Sequence, residues 1–298
     1  MRNRGPDVAR MLPRFHPKDT KSWFARGMHA PLPLLGASLR TAAVPARLDW
    51  LIAEHRDLEL ADPLSGIFFD GEWRATGREV ARLLSGHEGR RGVHAPFDGF
   101  PVDAPDWRSV SAMRDRLYEC LEFCALIGGS QMVLHSPFLF FGRADAAHRG
   151  DALHAQIRRV RHNLEPVVEE ARKVACVLVF ENIFDLRPEP LDQLVTSFQS
   201  DYVKRSLDTG HAHLMADRGA PPPDAWVEAA GGLLAHVHLA DNDGRLDRHW
   251  ACGAGGIAWP AMFRALNRLP SPPRLLLEMT PELQVEACRW LGEQGLAR

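Results

Sequence analysis

Short apolar runs alternate with amphipathic segments along this chain, and this alternation restricts the fold more than any other feature of the sequence. The predicted strands are Leu34–Arg40, Leu58–Ala61, Arg91–His94, Gln131–His135, Ala175–Glu181, Tyr202–Asp208, Leu233–Leu239 and Arg274–Glu278. The predicted helices are Pro45–His55, Thr76–Ser85, Trp107–Ile127, Ala146–Lys173, Leu191–Gln199, Pro223–Ala230, Trp259–Leu269 and Pro281–Leu291. Strict alternation predicts a parallel sheet with right-handed crossovers, and eight repeats favour closure of that sheet. We therefore predict an α/β fold, a single (βα)8 TIM barrel with a short N-terminal extension.

The length of the chain suits one barrel and leaves a short segment before it. A barrel takes roughly 250 residues, and we assign residues 33–298 of the 298-residue chain to it as the catalytic domain. In the first thirty residues, seven lysines and arginines accompany two aspartates. We therefore predict that residues 1–32 form a basic, poorly ordered extension.

Charge, hydropathy and cysteine content restrict the partners and the compartment. The formal net charge of −2 offers no general attraction to phosphates, so we expect no nucleic acid partner. No apolar run approaches the ~20 residues of a membrane span, so we expect no membrane association. The five scattered cysteines contain no Cys-x-x-Cys pair, which fits a cytoplasmic protein without disulfides. The sequence leaves the oligomeric state open, a homo-oligomer included.

Six consecutive predicted strands end in a residue of a type that binds metal ions. These residues are His94, His135, Glu181, Asp208, His238 and Glu278. A single histidine at a strand end usually makes only a structural hydrogen bond, but six such residues in register argue against that explanation. The carboxyl ends of all barrel strands meet at one rim, where barrel active sites are built. The sequence therefore predicts a metal site at this rim.

Other polar residues nearby have simpler interpretations. His236 lies two residues before His238, so it faces the same way one layer deeper and is expected to fill the barrel. His213 is interpreted as a helix-start residue, and Asp241 and Asp243 as turn formers.

Several motifs resemble the xylose-isomerase-like barrel superfamily of sugar phosphate isomerases and epimerases, to which endonuclease IV is related. The resemblance extends from about Pro33 to the C-terminus. Its motifs are Glu181-Asn182, Asp208-Thr-Gly-His211, His238-Leu-x-Asp-Asn-Asp-Gly, Asp247-x-His249, Gly-x-Gly-Gly-Ile-x-Trp259 and the terminal Glu278.

The two branches of this superfamily imply different metal sites. In the isomerase branch, residues matching Glu181, Asp208, His238 and Glu278 bind one divalent metal, and the position of His211 contacts the substrate. In the endonuclease branch, nine ligands hold three zinc ions. The resemblance gives a candidate for each: His94, His135, Glu181, Asp208, His211, His238, Asp247, His249 and Glu278. Five of them are therefore additional candidates for metal or substrate binding: His94, His135, His211, Asp247 and His249.

The resemblance implies a divalent-metal-dependent isomerase or epimerase that acts on a sugar, sugar phosphate or polyol. Glu181 and Glu278 would exchange a proton with the substrate through an enediolate. Manganese, magnesium, cobalt or zinc would serve, with one ion favoured and up to three left open. Phe138, Phe140 and Phe141 on the strand-four loop are expected to wall the pocket. The alternatives are a trinuclear-zinc phosphodiesterase acting on abasic DNA, a dehydratase on the same scaffold, and a binding protein without chemistry.

Overall fold

The computed structural model describes residues 31–138 and 150–298, and these form a closed parallel barrel of eight strands. The strands are β1 (Gly36–Leu39), β2 (Leu58–Leu60), β3 (Arg91–His94), β4 (Gln131–His135), β5 (Val177–Glu181), β6 (Val203–Asp208), β7 (Leu234–Leu239) and β8 (Arg274–Leu277). Each strand pairs with its neighbour in sequence, and β1 closes the barrel by pairing with β8. The predicted (βα)8 barrel is confirmed.

Helices connect the strands on the outside of the barrel. They are α1 (Val44–Ala53), α2 (Trp73–Leu83), α3 (Trp107–Leu126), α4 (Gly150–Lys173), α5 (Glu189–Ser197), α6 (Thr209–Leu214), α7 (Pro223–Ala230), α8 (Trp259–Leu266) and α9 (Pro281–Glu293). The sequence prediction missed α6, which is only six residues long and has a glycine at its second position. The carboxylate of Asp208 caps this helix by accepting a hydrogen bond from the backbone N–H of His211. His213 therefore lies inside a helix and not at its start.

The strands are buried on both faces, and the two faces differ in chemistry. Leu207 and Val237 point outward and are fully buried in the apolar layer under the helices. Burial of one such side chain contributes about 1.5–3 kcal/mol, which lets the barrel tolerate polar groups on the other face. The alternate residues of β6 and β7 point into the barrel, where Ser206 pairs in register with His236 and Asp208 with His238.

The amino-terminal end of the barrel is closed by long polar side chains. Arg274 donates hydrogen bonds to the backbone oxygen of Arg91 and to the hydroxyl of Ser130, both at 2.8 Å. The interior is therefore filled at this end, and the polar residues at the carboxyl ends of the strands face the opposite rim.

Two further predictions concern the phenylalanines after β4 and membrane association. Phe138 is buried in the apolar core, whereas Phe140 and Phe141 lie outside the described residues. Within residues 31–138 and 150–298, no helix is both long and apolar enough to span a membrane.

Candidate metal centre

Four of the predicted residues meet at the carboxyl end of β5 to β8. Glu181, Asp208, His238 and Glu278 each offer a ligand atom, and these atoms all lie within 4.8 Å of one another. The Nδ1 atom of His238 is 3.3 Å from an oxygen of Glu181 and 3.3 Å from an oxygen of Glu278. We call these four residues the deep cluster, because the first three are almost completely buried.

The deep cluster contains polar atoms that the protein itself leaves without hydrogen bonds. Among the described residues, Oε2 of Glu181, Oδ2 of Asp208 and Nδ1 of His238 are buried and have no hydrogen-bond partner. Buried polar groups without a partner cost several kcal/mol each, roughly 2–7 in transfer experiments. A divalent cation bound between them would satisfy all three. The mixture of carboxylate and imidazole suits manganese, cobalt or zinc, and the carboxylates also suit magnesium.

A second group, the side cluster, adjoins the deep cluster and shares Glu181 with it. It consists of His94, His135 and Glu181. The Nε2 atom of His94 is 3.5 Å from Oε2 of Glu181 and 3.2 Å from Nε2 of His135. Burial and the neighbouring charge of His94 lower the pKa of His135 to about 3, so its imidazole is neutral and free to act as a ligand.

The third group, the outer cluster, lies toward solvent and combines α6 with the loop after β7. It consists of His211, Asp247 and His249. One carboxylate oxygen of Asp247 is 3.3 Å from Nε2 of His211 and 3.1 Å from Nε2 of His249. The structure therefore brings all nine sequence-predicted residues together, in three adjoining groups.

Three of the histidines in these groups have the same orientation. The Nδ1 atoms of His94, His211 and His249 contact the backbone oxygens of Ala95, Asn182 and Glu278, at 2.9, 3.0 and 2.8 Å. Because a carbonyl oxygen only accepts hydrogen bonds, each of these Nδ1 atoms carries the proton. Their Nε2 atoms therefore present a lone pair to the site whenever the ring is neutral.

Sequence reasoning missed one residue that contacts the deep cluster, Glu59 in the middle of β2. Its carboxylate is 2% exposed, and Oε1 lies 2.9 Å from Nε2 of His238. The other oxygen is 3.2 Å from Nε2 of His236. The signal was present, since a glutamate between Leu58 and Leu60 interrupts an otherwise apolar strand and such charges are rarely buried without a partner.

The histidines keep two buried carboxylates ionised, whereas a third is shifted in the opposite direction. Burial alone would raise the pKa values of Glu59 and Glu181, but the charge of His238 and contacts with neighbouring imidazoles hold both well below their usual range. Burial raises the pKa of Glu278 to about 7 against the opposing charge of His238. Two carboxylates of the deep cluster, Glu181 and Glu278, therefore differ in proton affinity.

Asp241 organises the loop that carries Asp247 and His249. Its carboxylate is fully buried and accepts four hydrogen bonds, two on each oxygen. The donors are the backbone N–H groups of Asn242, Gly253 and Ile257 and the indole N–H of Trp259. Asp241 therefore does more than form a turn, because it ties both ends of this loop together.

A cavity of about 420 Å³ opens beside the deep cluster. Its polar groups come from Glu278, His249, Ser38, Arg40 and Thr280, whereas Leu39 and Leu64 near β1 and β2 and Met279 after β8 contribute apolar side chains. This volume is in the range of small-molecule sites. A substrate bound there would lie against Glu278.

Comparison with known proteins gives the family of this barrel and several similar folds. The sequence profile of the family described as "Xylose isomerase-like TIM barrel" matches residues 57–294. No curated protein sequence matches this chain significantly. A solved D-tagatose 3-epimerase-like protein superposes with a TM-score of 0.71 at 20% identity, over 88% of this chain and 96% of that one.

Two further solved structures share the fold. A protein from Thermus thermophilus, soaked with ZnCl2, gives a TM-score of 0.66 at 22% identity over 89% of this chain and 99% of that one. The 3-keto-D-glucoside 4-epimerase from E. coli gives 0.65 at 15% identity over 88% and 99%. At these identities the superpositions show the fold alone, and the profile match, which spans most of the chain, shows that it belongs to the xylose isomerase-like TIM barrel family.

Proposed function

We propose that this protein is a divalent-metal-dependent sugar isomerase or epimerase. One observation carries the proposal: a carboxylate oxygen of Glu181 and one of Glu278 both lie 3.3 Å from Nδ1 of His238, so the two carboxylates share one site. Two carboxylates that face one site are what reversible proton transfer at a substrate carbon requires. Solved proteins of the same fold, named as a D-tagatose 3-epimerase-like protein, a D-psicose 3-epimerase and an L-ribulose 3-epimerase, support a sugar as the substrate.

The residues of the deep cluster would divide the work between binding and proton transfer. A metal bound by Glu181, Asp208, His238 and Glu278 would supply Lewis-acid polarisation of a substrate carbonyl and its neighbouring hydroxyl. One glutamate removes the proton from the carbon beside the carbonyl, which leaves an enediolate. In an epimerase the other glutamate returns a proton to the opposite face of the same carbon. In an isomerase a proton is returned to the neighbouring carbon, and the hydroxyl proton moves between the two substrate oxygens.

The surroundings fit these roles. Glu278 lines the cavity, so its carboxylate can reach a substrate carbon there and accept a proton from it. Glu181 is 1% exposed and is held in place by contacts with three imidazoles, those of His94, His211 and His238. The apolar walls beside Glu278 would exclude water from the reacting carbon.

Exchange of substrate hydrogen with deuterated water tests the proposal without knowledge of the natural substrate. Protein supplied with Mn2+ or Co2+ is incubated with a panel of ketoses, aldoses and inososes, and deuterium at the carbon beside the carbonyl is measured by mass spectrometry and NMR. We expect exchange with at least one sugar in the wild type and its loss in Glu278→Gln. The matched control is Glu165→Gln on the exposed face of α4, which should exchange normally. Full metal occupancy without exchange of any sugar would refute the proton-transfer roles.

A second candidate function is favoured by a separate observation, the three adjoining clusters that the nine predicted ligands form. Multi-metal sites with ions about 3.5–4 Å apart serve phosphoester hydrolysis, where they stabilise the attacking and leaving oxygens. The Thermus protein of this fold that was soaked with ZnCl2 is consistent with zinc as the metal. Three stoichiometric zinc ions together with cleavage of abasic duplex DNA would favour this phosphodiesterase over the epimerase. A deoxy or unsaturated product in the sugar assay would instead indicate a dehydratase.

A further inference from the structure

Glu59 lies across the barrel interior from the four residues of the deep cluster. It occupies the central position of the three-residue strand β2, and Leu58 and Leu60 on either side are fully buried. Its carboxylate is 2% exposed and does not line the cavity beside Glu278. Glu59 therefore cannot reach a substrate there, and its role must act through its neighbours.

The contacts of Glu59 define the orientation of one imidazole. Its Oε1 atom accepts a hydrogen bond from the hydroxyl of Ser38 at 3.1 Å and lies 2.9 Å from Nε2 of His238. Because Oε1 acts as an acceptor, Nε2 of His238 is the donor in this contact. The proton on Nε2 leaves Nδ1 of the neutral ring with a lone pair that points toward Glu181 and Glu278.

A second histidine packs against this imidazole and contacts the same carboxylate. The ring of His236 packs edge-on against the ring of His238, with centroids 4.5 Å apart and an angle of 85° between the planes. His236 is itself fixed, since its Nδ1 lies 2.8 Å from the hydroxyl of Ser206 and its Nε2 lies 3.2 Å from Glu59. Glu59 therefore contacts both histidines of β7.

We infer that Glu59 is a positioning residue that holds His238 with Nε2 toward β2 and Nδ1 toward the metal-binding side. In the described part of the chain, His94, His211 and His249 have the opposite arrangement, in which Nδ1 contacts a backbone oxygen and Nε2 faces the site. Of these four histidines, His238 is the one whose outer partner is a carboxylate instead of a neutral carbonyl. The inference rests on the proposed function only in requiring a metal at the deep cluster.

A carboxylate partner has a chemical consequence that a carbonyl partner lacks. It makes the imidazole a more basic ligand and fixes its ring orientation, and loss of such partners typically weakens metal binding 10- to 100-fold. Of the candidate histidine ligands, His238 should therefore be the one whose metal affinity depends on a charged residue outside the binding site.

Metal titration of variants tests the inference without any sugar. Co2+ is titrated into metal-free wild type, Glu59→Leu and Glu59→Gln, and the dissociation constant is measured by competition with a chelator. We expect the tightest Co2+ site to weaken up to about 100-fold in Glu59→Leu, which loses the acceptor, and about 10-fold in Glu59→Gln, which keeps an acceptor but loses the charge. The control is Asp185→Asn. Asp185 is about as buried as Glu59 and lies at the same rim, but its hydrogen-bond partners are Ser136 and Ile183 and not the clustered residues.

The NMR spectrum of the histidine rings provides a second measurement, which would not change if Glu59 had only a structural role. Zinc-loaded protein with 15N-labelled histidine should show one ring, assigned by His238→Gln, with its proton on Nε2 and its metal on Nδ1. In Glu59→Gln this Nε2 proton should exchange faster with water, whereas rings with the proton on Nδ1 should not change.

The outcomes separate this inference from the proposed function. Unchanged Co2+ affinity and an unchanged His238 signal in Glu59→Gln would overturn the positioning role, even if Glu59→Leu fails to fold. Weakened Co2+ binding in the Glu59 variants together with no sugar exchange in the wild type would support the positioning role and refute the epimerase. A wild type that binds no Co2+ would overturn both.

Discussion

The deep cluster and the outer cluster use the same residue types but are held by different parts of the fold. The deep residues Glu181, Asp208 and His238 are the last or nearly the last residues of barrel strands and are at most 1% exposed. In the outer cluster, the side chains of Asp247 and His249 are 35% and 36% exposed and belong to the loop between β7 and α8. The strand-borne group is therefore shielded from water, whereas the loop-borne group is not.

This difference has consequences for electrostatics and for backbone strain. In the buried group each charge is offset by a neighbour in a low-dielectric setting, so the loss of one partner is costly. In the outer group His249 has a φ of 47°, a left-handed conformation that costs of order 1 kcal/mol for a residue with a side chain. Strain of this kind at a non-glycine residue persists only where the surrounding contacts hold it, and here it directs an imidazole at Asp247.

The largest expected effect is that of Glu181, which belongs to both the deep and the side cluster. Glu181→Gln removes a charged ligand and a candidate base, so turnover should fall by about 10² to 10⁴-fold. Metal content measured on the same samples by elemental analysis should fall as well. Glu165→Gln, an exposed change of the same type, should alter neither. Retained metal and retained turnover in Glu181→Gln would show that the deep cluster is not the centre of the site.

A smaller and more selective loss is expected in the outer cluster. Asp247→Asn removes the carboxylate that lies between His211 and His249, so a metal bound there should weaken by at least 10-fold, while the deep site keeps its ion. Metal stoichiometry and titration with Zn2+ measure both sites at once. The control is Asp243→Asn in the same loop, whose amide oxygen can still accept from the N–H groups of Arg245 and Leu246. Equal metal content in Asp247→Asn and the wild type would mean that the outer residues bind substrate or only order the loop.

Asp241 tests whether the loop itself holds the outer cluster together. In Asp241→Asn an amide NH2 replaces an oxygen that accepts two hydrogen bonds, so two N–H donors, one of them the buried indole of Trp259, lose their partner. The free energy of unfolding should fall by about 1–3 kcal/mol. Binding at the outer cluster should weaken along with it, and binding at the deep cluster should not. Weakening of both sites to the same extent would mean that the loop supports the whole rim.

The strand-borne part of the site could be predicted from the sequence, whereas the loop-borne part required the resemblance. Parallel strands that end in His94, Glu181, Asp208 and His238 must present these residues at one rim, so their convergence follows from the fold. No periodicity fixes the path of the β7–α8 loop, which depends on the contacts of Asp241 with residues up to Trp259. Asp247 and His249 were therefore identified by their motif and not by their spacing.

Glu59 and α6 show two further limits of structure prediction from local sequence patterns. The sequence predicts Glu59 only as part of a strand, because its neighbours are leucines. Its partners Ser38 and His238 are 21 and 179 residues away, so the local pattern does not reveal them. The short α6 lacks the length that periodicity needs and is defined by the Asp208 cap. Both features depend on tertiary contacts that the local pattern does not contain.

The smallest expected effect concerns Asp185. This buried carboxylate lies at the same rim, but among the described residues it has no direct contact with an imidazole. Asp185 accepts hydrogen bonds from the hydroxyl of Ser136 and from the backbone N–H of Ile183. Burial raises its pKa to about 6 in spite of these bonds and of the more distant charges of Arg205 and His211. The contrast with Glu181, whose pKa is held well below its usual range, indicates that contact with the histidines, and not the rim as such, keeps Glu181 ionised.

The sign of the resulting pH dependence can be worked out for Asp185. The folded protein binds this proton more tightly than the unfolded chain does, so stability is lost as the pH rises from the unfolded pKa toward about 6. Asp185→Asn removes this loss. Between pH 4.5 and pH 8, the unfolding free energy of Asp185→Asn should therefore rise relative to wild type by about 1–2 kcal/mol, measured by urea denaturation. The exposed Asp217→Asn, measured in the same way, is the matched control for an Asp-to-Asn change at the surface. A constant difference between Asp185→Asn and wild type across this range would mean that Asp185 is ionised in the folded protein, and that burial at this rim does not by itself keep a carboxyl group neutral.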